Sequence, residues 1–344
     1  MIPVILEYIW LDGKNNLRSK YKTVNVEDIN KIDFPKWNYD GSSTNQASTE
    51  NSEIILNPIA AYKNPFIRDV CSFLVLCDTF NENDGEIVPT SNNKRIDAFK
   101  IFNKNLSLKP WYGIEQEYFI MSPNETHNSM TPLLFANSKT IPKAQGDYYC
   151  GVGNQHTVMR EMVEKHYKYC IYAGLTISGV NAEVAPSQWE YQIGPVEGVA
   201  AGDQLYISRY ILHRLSEEYK VNISFDPKPI PSPWNGSGLH TNFSTTETRC
   251  PDGLEKINEY VDKLSKVHAQ HLTVYGDNSS RLSGECETSS MDSFTCGYGN
   301  RGCSIRIPSG VLKEKCGYFE DRRPASDANP YEVISILFNT CCLN

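Results

Sequence analysis

The chain has 344 residues, 40% of them hydrophobic and 22% charged, which is enough for a large core and two domains. Its formal net charge of -8 argues against a nucleic-acid backbone as the main partner, because that role wants a basic surface. Eleven cysteines, an odd number without regular spacing, point to a reduced, cytoplasmic chain.

The opening "MIPVILEYIWLDG" is apolar but has no basic leader, and Glu7 interrupts it. It reads as a strand ending in an Asp-Gly turn, not as a signal peptide. No apolar run approaches the roughly 18 residues of a membrane span. Residues 1–93 read as short strands, clearest in "EYIWLDG" and "SFLVLCDTF". "ENDGEIVPTSNN" is loop-like and marks a domain boundary. "KRIDAFKIFNKNL" follows as an amphipathic helix with Ile96, Phe99 and Phe102 near one face. Strands and helices then alternate. "WYGIEQEYFI" is a strand, and "MREMVEKHYKYCIYAGL" is a helix ending at Gly174. "DQLYISRYILHRLSEEY" and "LEKINEYVDKLSKVHAQHL" are helices, and "NRGCSIRI" is a strand. The pattern gives a small β-rich domain over 1–93 and a larger α/β or α+β domain over 94–344.

Several carboxylates fall on shared strand faces. Glu115 and Glu117 are two apart in one strand and point the same way. In "GVNAEVAPSQWEYQIGP", a turn at Pro186-Ser187 makes a hairpin that pairs Ala185 with Gln188, Val184 with Trp189 and Glu183 with Glu190. The two acids would then sit about 4.5–5.5 Å apart at Cβ. Opposed anions destabilise a hairpin unless a cation lies between them or one is protonated. "NGSGLHTNFST" adds His240, and "GYFEDRRP" places Glu320 and Arg322 on one face with Asp321 and Arg323 on the other.

Each feature alone has a plain structural reading. Together, the carboxylates and one imidazole suit hard divalent cations such as Mg²⁺ or Mn²⁺. Zinc-type Cys/His clustering is missing. Arg281, Arg301, Arg306, Arg322 and Arg323 collect late in an acidic chain, where they suit carboxylates and phosphates. An acidic metal site beside an arginine-rich anion site is what phosphoryl transfer needs, yet no P-loop or Rossmann glycine triplet occurs. The residues by themselves stop at a metal-dependent phosphoryl-transfer enzyme.

The motifs, in their order, resemble glutamine synthetase of the eukaryotic type. "WNYDGSSTNQA" resembles its N-terminal loop. "WYGIEQEY", "NAEVAPSQWEYQIGP", "KPIPSPWNGSGLHTNFST", "ETSS", "NRGCSIRIP" and "GYFEDRRPASDANPY" resemble its catalytic segments. The resemblance runs from "YIWLDG" to "NTCCLN". It implies an α+β fold, with a small β-grasp-like N-terminal domain and a catalytic domain whose antiparallel half-barrel sheet is backed by helices. It also implies ATP-dependent ligation of ammonia to L-glutamate through a γ-glutamyl phosphate.

By the resemblance, Glu117, Glu183 and Glu190 match one metal site, and Glu115, His240 and Glu320 a second. A third ion would share some of these acids. Asn235, Gly236, Arg281 and Arg322 match glutamate-binding positions. Arg301 and Arg306 match residues facing the nucleotide phosphates, and Trp111, Ser244 and Tyr318 line the ATP pocket. Asp40 matches the acid that receives ammonium, and Glu287 the flap acid over the intermediate; Arg322 joins them as catalytic. Such a pair of anions would attract NH₄⁺ and take its proton. The resemblance further implies a decamer of two pentameric rings, with active sites between subunits. The chain departs from the pattern by starting almost directly at "EYIWLDG", where most relatives carry a leading helical segment; this bears on ring packing. A γ-glutamyl-amine ligase and a non-catalytic structural relative are the alternatives.

Overall fold

The computed structural model describes residues 1–83, 85–123, 131–136, 143–231 and 233–344. Asp84, within the expected boundary loop, and Ser232, within "KPIPSPWNGSG", lie outside the described residues.

The first sheet holds β1 (Ile2–Leu11), β2 (Leu17–Val26), β3 (Trp37–Asp40), β4 (Glu53–Lys63), β5 (Ser72–Asn83) and β6 (Glu86–Pro89). Its order is β2-β1-β5-β4-β3, with β6 on β5. β1 and β5 run parallel, and the other pairs are antiparallel. The expected Asp-Gly turn after β1 is present. Asp12 accepts from the Lys14 and Asn16 backbone N–H groups at 2.8 and 2.9 Å, which closes the hairpin to β2. "ENDGEIVP", read as a loop, is instead a second hairpin: Ile87 and Val88 pair with Glu82 and Asn81. Gly85, at φ +83°, lies before β6, and the β-branched pair Ile87 and Val88 continues the sheet.

The helices are α1 (Lys94–Phe102), α2 (Leu133–Ala136), α3 (Arg160–Ala173), α4 (Ala200–Tyr219), α5 (Gly253–Lys266), α6 (His268–Leu272), α7 (Ser309–Glu314) and α8 (Pro330–Phe338). In α1 the buried side chains are Ala98 and Phe102, while Phe99 is exposed; the helix was rightly placed but its apolar face was not. α3 stops at Gly174, whose φ of +90° suits glycine and whose N–H caps Cys170 and Ile171. The single helix expected over "LEKINEYVDKLSKVHAQHL" breaks at Val267 into α5 and α6. Among the described residues no helix is long and apolar enough to cross a membrane.

The second sheet holds β7 (Trp111–Met121), β8 (Ile177–Ala182), β9 (Gln188–Glu197), β10 (Asn222–Ser224), β11 (Leu239–Ser244), β12 (Cys296–Tyr298), β13 (Ile305–Ile307) and β14 (Phe319–Asp321). Its order is β12-β13-β14-β11-β7-β9-β8, with β10 on β7. Among the described residues, β12 and β13 run parallel and the other pairs of this sheet are antiparallel. In "NRGCSIRI" only the last three residues form a strand; Asn300–Ser304 turn into it.

Strand alternation divides this sheet into two unlike faces. Tyr112, Ile114, Tyr118 and Ile120 of β7, Tyr191 and Ile193 of β9, and Phe243 of β11 are buried in the main core. They share it with Leu205, Ile211, Leu212 and Leu215 of α4 and Ile334 and Leu337 of α8. Each such side chain contributes roughly 1.5–3 kcal/mol on burial, so this face fixes the strand registers. Glu115 and Glu117 of β7, Glu190 and Gln192 of β9, and His240 and Asn242 of β11 alternate with them and carry polar side chains to the opposite face.

Polar clasps join the first sheet to the helices behind the second. Glu7 of β1 is fully buried and accepts from Tyr210, from Arg214 at 2.7 Å and from Asn64 at 2.9 Å. Arg95 of α1 donates two bonds to Asp203 of α4 at 2.8 and 2.9 Å, and Tyr331 of α8 donates to the same carboxylate at 2.7 Å. Replacing Asp203 by Ala leaves the Arg95 guanidinium facing only Asp78, at 3.6 Å. We expect a loss of about 3–5 kcal/mol, read by urea unfolding. A loss below about 1 kcal/mol would show that water repairs the gap.

Candidate active site

The polar face of the second sheet is read most directly across the strands. Glu190 of β9 stands opposite Glu117 of β7 on one side and Asn181 of β8 on the other. One step along, Glu115 of β7 lies between Gln192 of β9 and His240 of β11. Next, Asn242 of β11 faces Glu320 of β14, which in turn faces Arg306 of β13. A strand period of two puts all of these on one face.

The hairpin register differs from the expected one. Glu183 donates its N–H to Gln188 and stands opposite it, so the loop is Val184–Ser187 and Glu190 faces Asn181, not Glu183. The error is two residues, caused by a loop one residue nearer the N-terminus, with Ser187 at φ +68°. A slip of two preserves the face, so Glu183 and Glu190 still share it, diagonally. The directly opposed acids are Glu190 and Glu117.

Glu115, Glu117, Glu183, Glu190, His240, Glu287, Arg301, Arg306 and Arg322 line one cavity of about 380 Å³. Among the described residues, Glu115, Glu190 and His240 bring ligand atoms within 4.8 Å of one another. The trio takes members from both metal sets expected from the resemblance. His240 Nδ1 is 3.5 Å from Glu115, 3.7 Å from Glu117 and 3.6 Å from Glu320. Its Nε2 lies 3.2 Å from the Arg281 guanidinium, which can only donate, so Nε2 accepts and the ring proton sits on Nδ1. A cation at Nδ1 requires the other tautomer, so cation and Arg281 compete for this ring.

Compensation along the face is uneven. Glu320 is fully buried and takes Arg306 at 2.6 Å and Arg322 at 2.7 Å. Glu115 accepts from Asn242 at 2.8 Å. Glu117 accepts from the Gly238 N–H at 2.8 Å and from Gln188 at 3.2 Å. Glu183 accepts from Asn181 at 2.9 Å, and Glu190 from Gln192. These last acids receive amides, not cations. Burial, then the charge of Glu183, pushes the Glu117 carboxyl up to about 8. Burial raises Glu183 to about 7, with Glu287 and Glu115 adding to the rise. Burial and the charges of Glu115, Glu183 and Glu117 push Glu190 well above the usual range. Oxygen-rich donors with excess negative charge fit a hard divalent cation, which would relieve the repulsion.

A second cavity, of about 420 Å³, is lined by Trp111, Ser244 and Tyr318. It shares Glu115 and Gln192 with the acidic one. Arg249 stacks 4.0 Å over the Trp111 ring and donates to Ser244 at 2.9 Å. The aromatic walls suit a flat ring placed beside the acids.

A family model described as the glutamine synthetase catalytic domain matches residues 98–273. The chain is 49% identical over 341 residues to a glutamine synthetase of Candida glabrata, covering 98% of this chain and 89% of that protein. It is 49% identical over 342 residues to one of Saccharomyces cerevisiae, with 98% and 89% covered. A Panulirus argus glutamine synthetase is 47% identical over 343 residues, with 98% and 92% covered. The chain belongs to the glutamine synthetase family. A cryo-EM structure of Plasmodium falciparum glutamine synthetase matches the fold with a TM-score of 0.76 at 17% identity, covering 98% of this chain and 71% of that one. The expected α+β class, with a half-barrel sheet backed by helices, is therefore the fold of this family member.

Arg281 is buried and donates to Asn278 and to the Arg322 and Arg323 carbonyls at 3.1–3.2 Å. Gly236 and Gly238 leave room for it: a Cβ at Gly238 would come 2.4 Å from its guanidinium and 2.7 Å from His240. Asn235 is buried and accepts from Gln145. Arg322 donates to the Arg301 carbonyl at 3.0 Å and the Glu287 carbonyl at 3.3 Å. Asp40 does not line the cavity that Glu287 lines. It is exposed at the end of β3, where Ser42 and Ser43 each donate at 2.6 Å and lower its carboxyl. Asn181, Gln192, Asn242, Tyr149 and Arg249 were not singled out from the sequence. The three amides each sit two residues from a named ligand, which is a readable signal; Tyr149 and Arg249 carry none.

These acids give the family member a pH dependence of sign opposite to ordinary acid denaturation. Raised carboxyls hold protons in the fold that the unfolded chain has released, so their stabilisation fades as pH climbs through about 7 and about 8. Below about 6.5 the buried neutral imidazoles of His166, His213, His240 and His271 work the other way. Between pH 6.5 and 8 the glutamates act alone among these groups. Calorimetry of chelator-treated protein is expected to show a falling melting temperature across that window, flattened by excess Mg²⁺. Replacing Glu190 with Gln should raise the metal-free melting temperature at pH 8. A lower value would contradict the repulsion.

Proposed function

We infer that the chain joins ammonia to L-glutamate with ATP, giving L-glutamine, ADP and phosphate through a γ-glutamyl phosphate. The observation that carries this is the meeting, in a glutamine synthetase family chain, of an acid-rich sheet face, flanking arginines and an adjoining aromatic cavity. Glu117, Glu183 and Glu190, with Glu115, His240 and Glu320, would hold two to three Mg²⁺ or Mn²⁺ ions, which supply charge neutralisation for the phosphates. Trp111, Ser244 and Tyr318 take the nucleotide, and Arg301 and Arg306 face its phosphates. Asn235, Gly236, Arg281 and Arg322 orient glutamate with its γ-carboxylate toward the acids. The arginines bind and align; a carboxylate becomes an acyl donor only once phosphorylated, so alignment of two anions is the first task.

Asp40 and Glu287 form the ammonium site, attracting NH₄⁺ and taking its proton. Glu287 sits at φ +62° beside Cys286 at +51°, a strained arrangement at the cavity rim that suits a flap excluding water. Asp40 is exposed and does not line its own chain's acidic cavity, which supports an assembly in which it serves a neighbouring subunit. The assembly is a decamer of two pentameric rings in the cytoplasm. Residues 1–93 form the β-grasp domain that caps the neighbour, and 94–344 the catalytic domain.

The test is a coupled ADP-release assay. Release should require glutamate, NH₄⁺ and Mg²⁺ together; release without ammonium, or none at all, would overturn the reading. Glu183→Ala is expected to abolish turnover while the far-UV spectrum holds and the metal-free melting temperature does not fall. Retained turnover would remove Glu183 from the metal set.

A further inference from the structure

Two of the acids that lack arginine partners, Glu190 and Glu183, are joined to one another by two neutral side chains. Gln192 Nε2 donates to Glu190 Oε1 and, at 3.1 Å, to Asn181 Oδ1. Asn181 Nδ2 donates onward to Glu183 Oε1 at 2.9 Å. The polarity is fixed by the ends. Both carboxylates can only accept when ionised, so each amide must turn its NH₂ toward an acid and Asn181 must turn its oxygen toward Gln192. Neither side chain packs in the core; both line the acidic cavity, and Gln192 also lines the aromatic one.

The backbone is shaped for this reach. A bulge in β8 between Ile177 and Gly179 brings Gly179, not a side chain, opposite Gln192. A Cβ at Gly179 would lie 2.2 Å from Gln192 Oε1. A Cβ there would force the Gln192 amide to shift. The choice of amides also has an electrostatic reason. A lysine or arginine here would neutralise the acids, as Arg306 and Arg322 do at Glu320. An amide orients a carboxylate and leaves its charge for a cation.

We propose that Gln192 and Asn181 are positioning residues: one amide link that holds Glu190 and Glu183 in a common orientation for a divalent cation, with Gly179 as the clearance that lets the link form. The link rests on reading this face as a cation site. The test is Mn²⁺ titration of the full-length protein without nucleotide or glutamate, following free Mn²⁺ by electron paramagnetic resonance. Gln192→Ala should weaken binding about 10- to 100-fold, and Asn181→Ala should weaken it in the same direction. Gly179→Ala should match Gln192→Ala, and the double variant should be no worse than either single one, because both remove the same contact. Binding by Gln192→Ala within twofold of wild type, or effects of Gly179→Ala and Gln192→Ala that multiply, would overturn the link even if melting temperatures fall. Mn²⁺ uptake absent from the wild type would instead overturn the cation reading on which the link stands.

Discussion

Glu117 and Glu190 face each other across the ladder between β7 and β9, with Glu183 diagonal to the pair. Three carboxylates this close, on a buried face, repel strongly because little water screens them. The sheet tolerates them because its other face is so thoroughly apolar. Tyr118, Ile120, Tyr191 and Ile193 fix the registers of the same two strands from behind. A slip of one residue would bury the acids among α3 and α4 and expose the aromatic side chains, so the core enforces the repulsion.

The face is graded from compensated to uncompensated. At the β13–β14 end, Glu320 is matched by two arginines. At the β8–β9 end, Glu183 and Glu190 have only amide donors. His240 stands between, with Nδ1 toward the acids and Nε2 toward Arg281. A cation is drawn to the end where negative charge is in excess, and an anion to the end where arginines already gather. A ligand carrying charge of both signs would be oriented by this gradient before any side chain moves.

Much of this was legible in the sequence because strand parity is a robust signal. Glu115 and Glu117 in "WYGIEQEY" share a face whatever the pairing, and the hairpin through Pro186 put Glu183 and Glu190 on one face despite a register wrong by two. Parity survives even slips, while direct opposition does not, so the opposed partner of Glu190 proved to be Glu117 from another strand. Long-range pairing of that kind leaves no local trace. Tyr149 and Arg249 were illegible for the same reason: each reaches its cavity from a loop whose path tertiary packing decides. The hairpin of β5 and β6 was missed because its turn residues were read as the whole segment.

The arrangement also explains why stability and chemistry pull against each other on one surface. Every carboxylate that makes the face attractive to a cation costs the metal-free fold, and the cost grows as pH rises toward the range where the acids ionise. Substituting arginines for the amides would remove that cost and the site with it. The amides at Asn181 and Gln192 hold the middle course: they satisfy carboxylate oxygens that would otherwise be buried without donors, and they leave the charge intact. A face built this way is most stable when a cation is bound, so occupancy of the site and rigidity of the second sheet rise together.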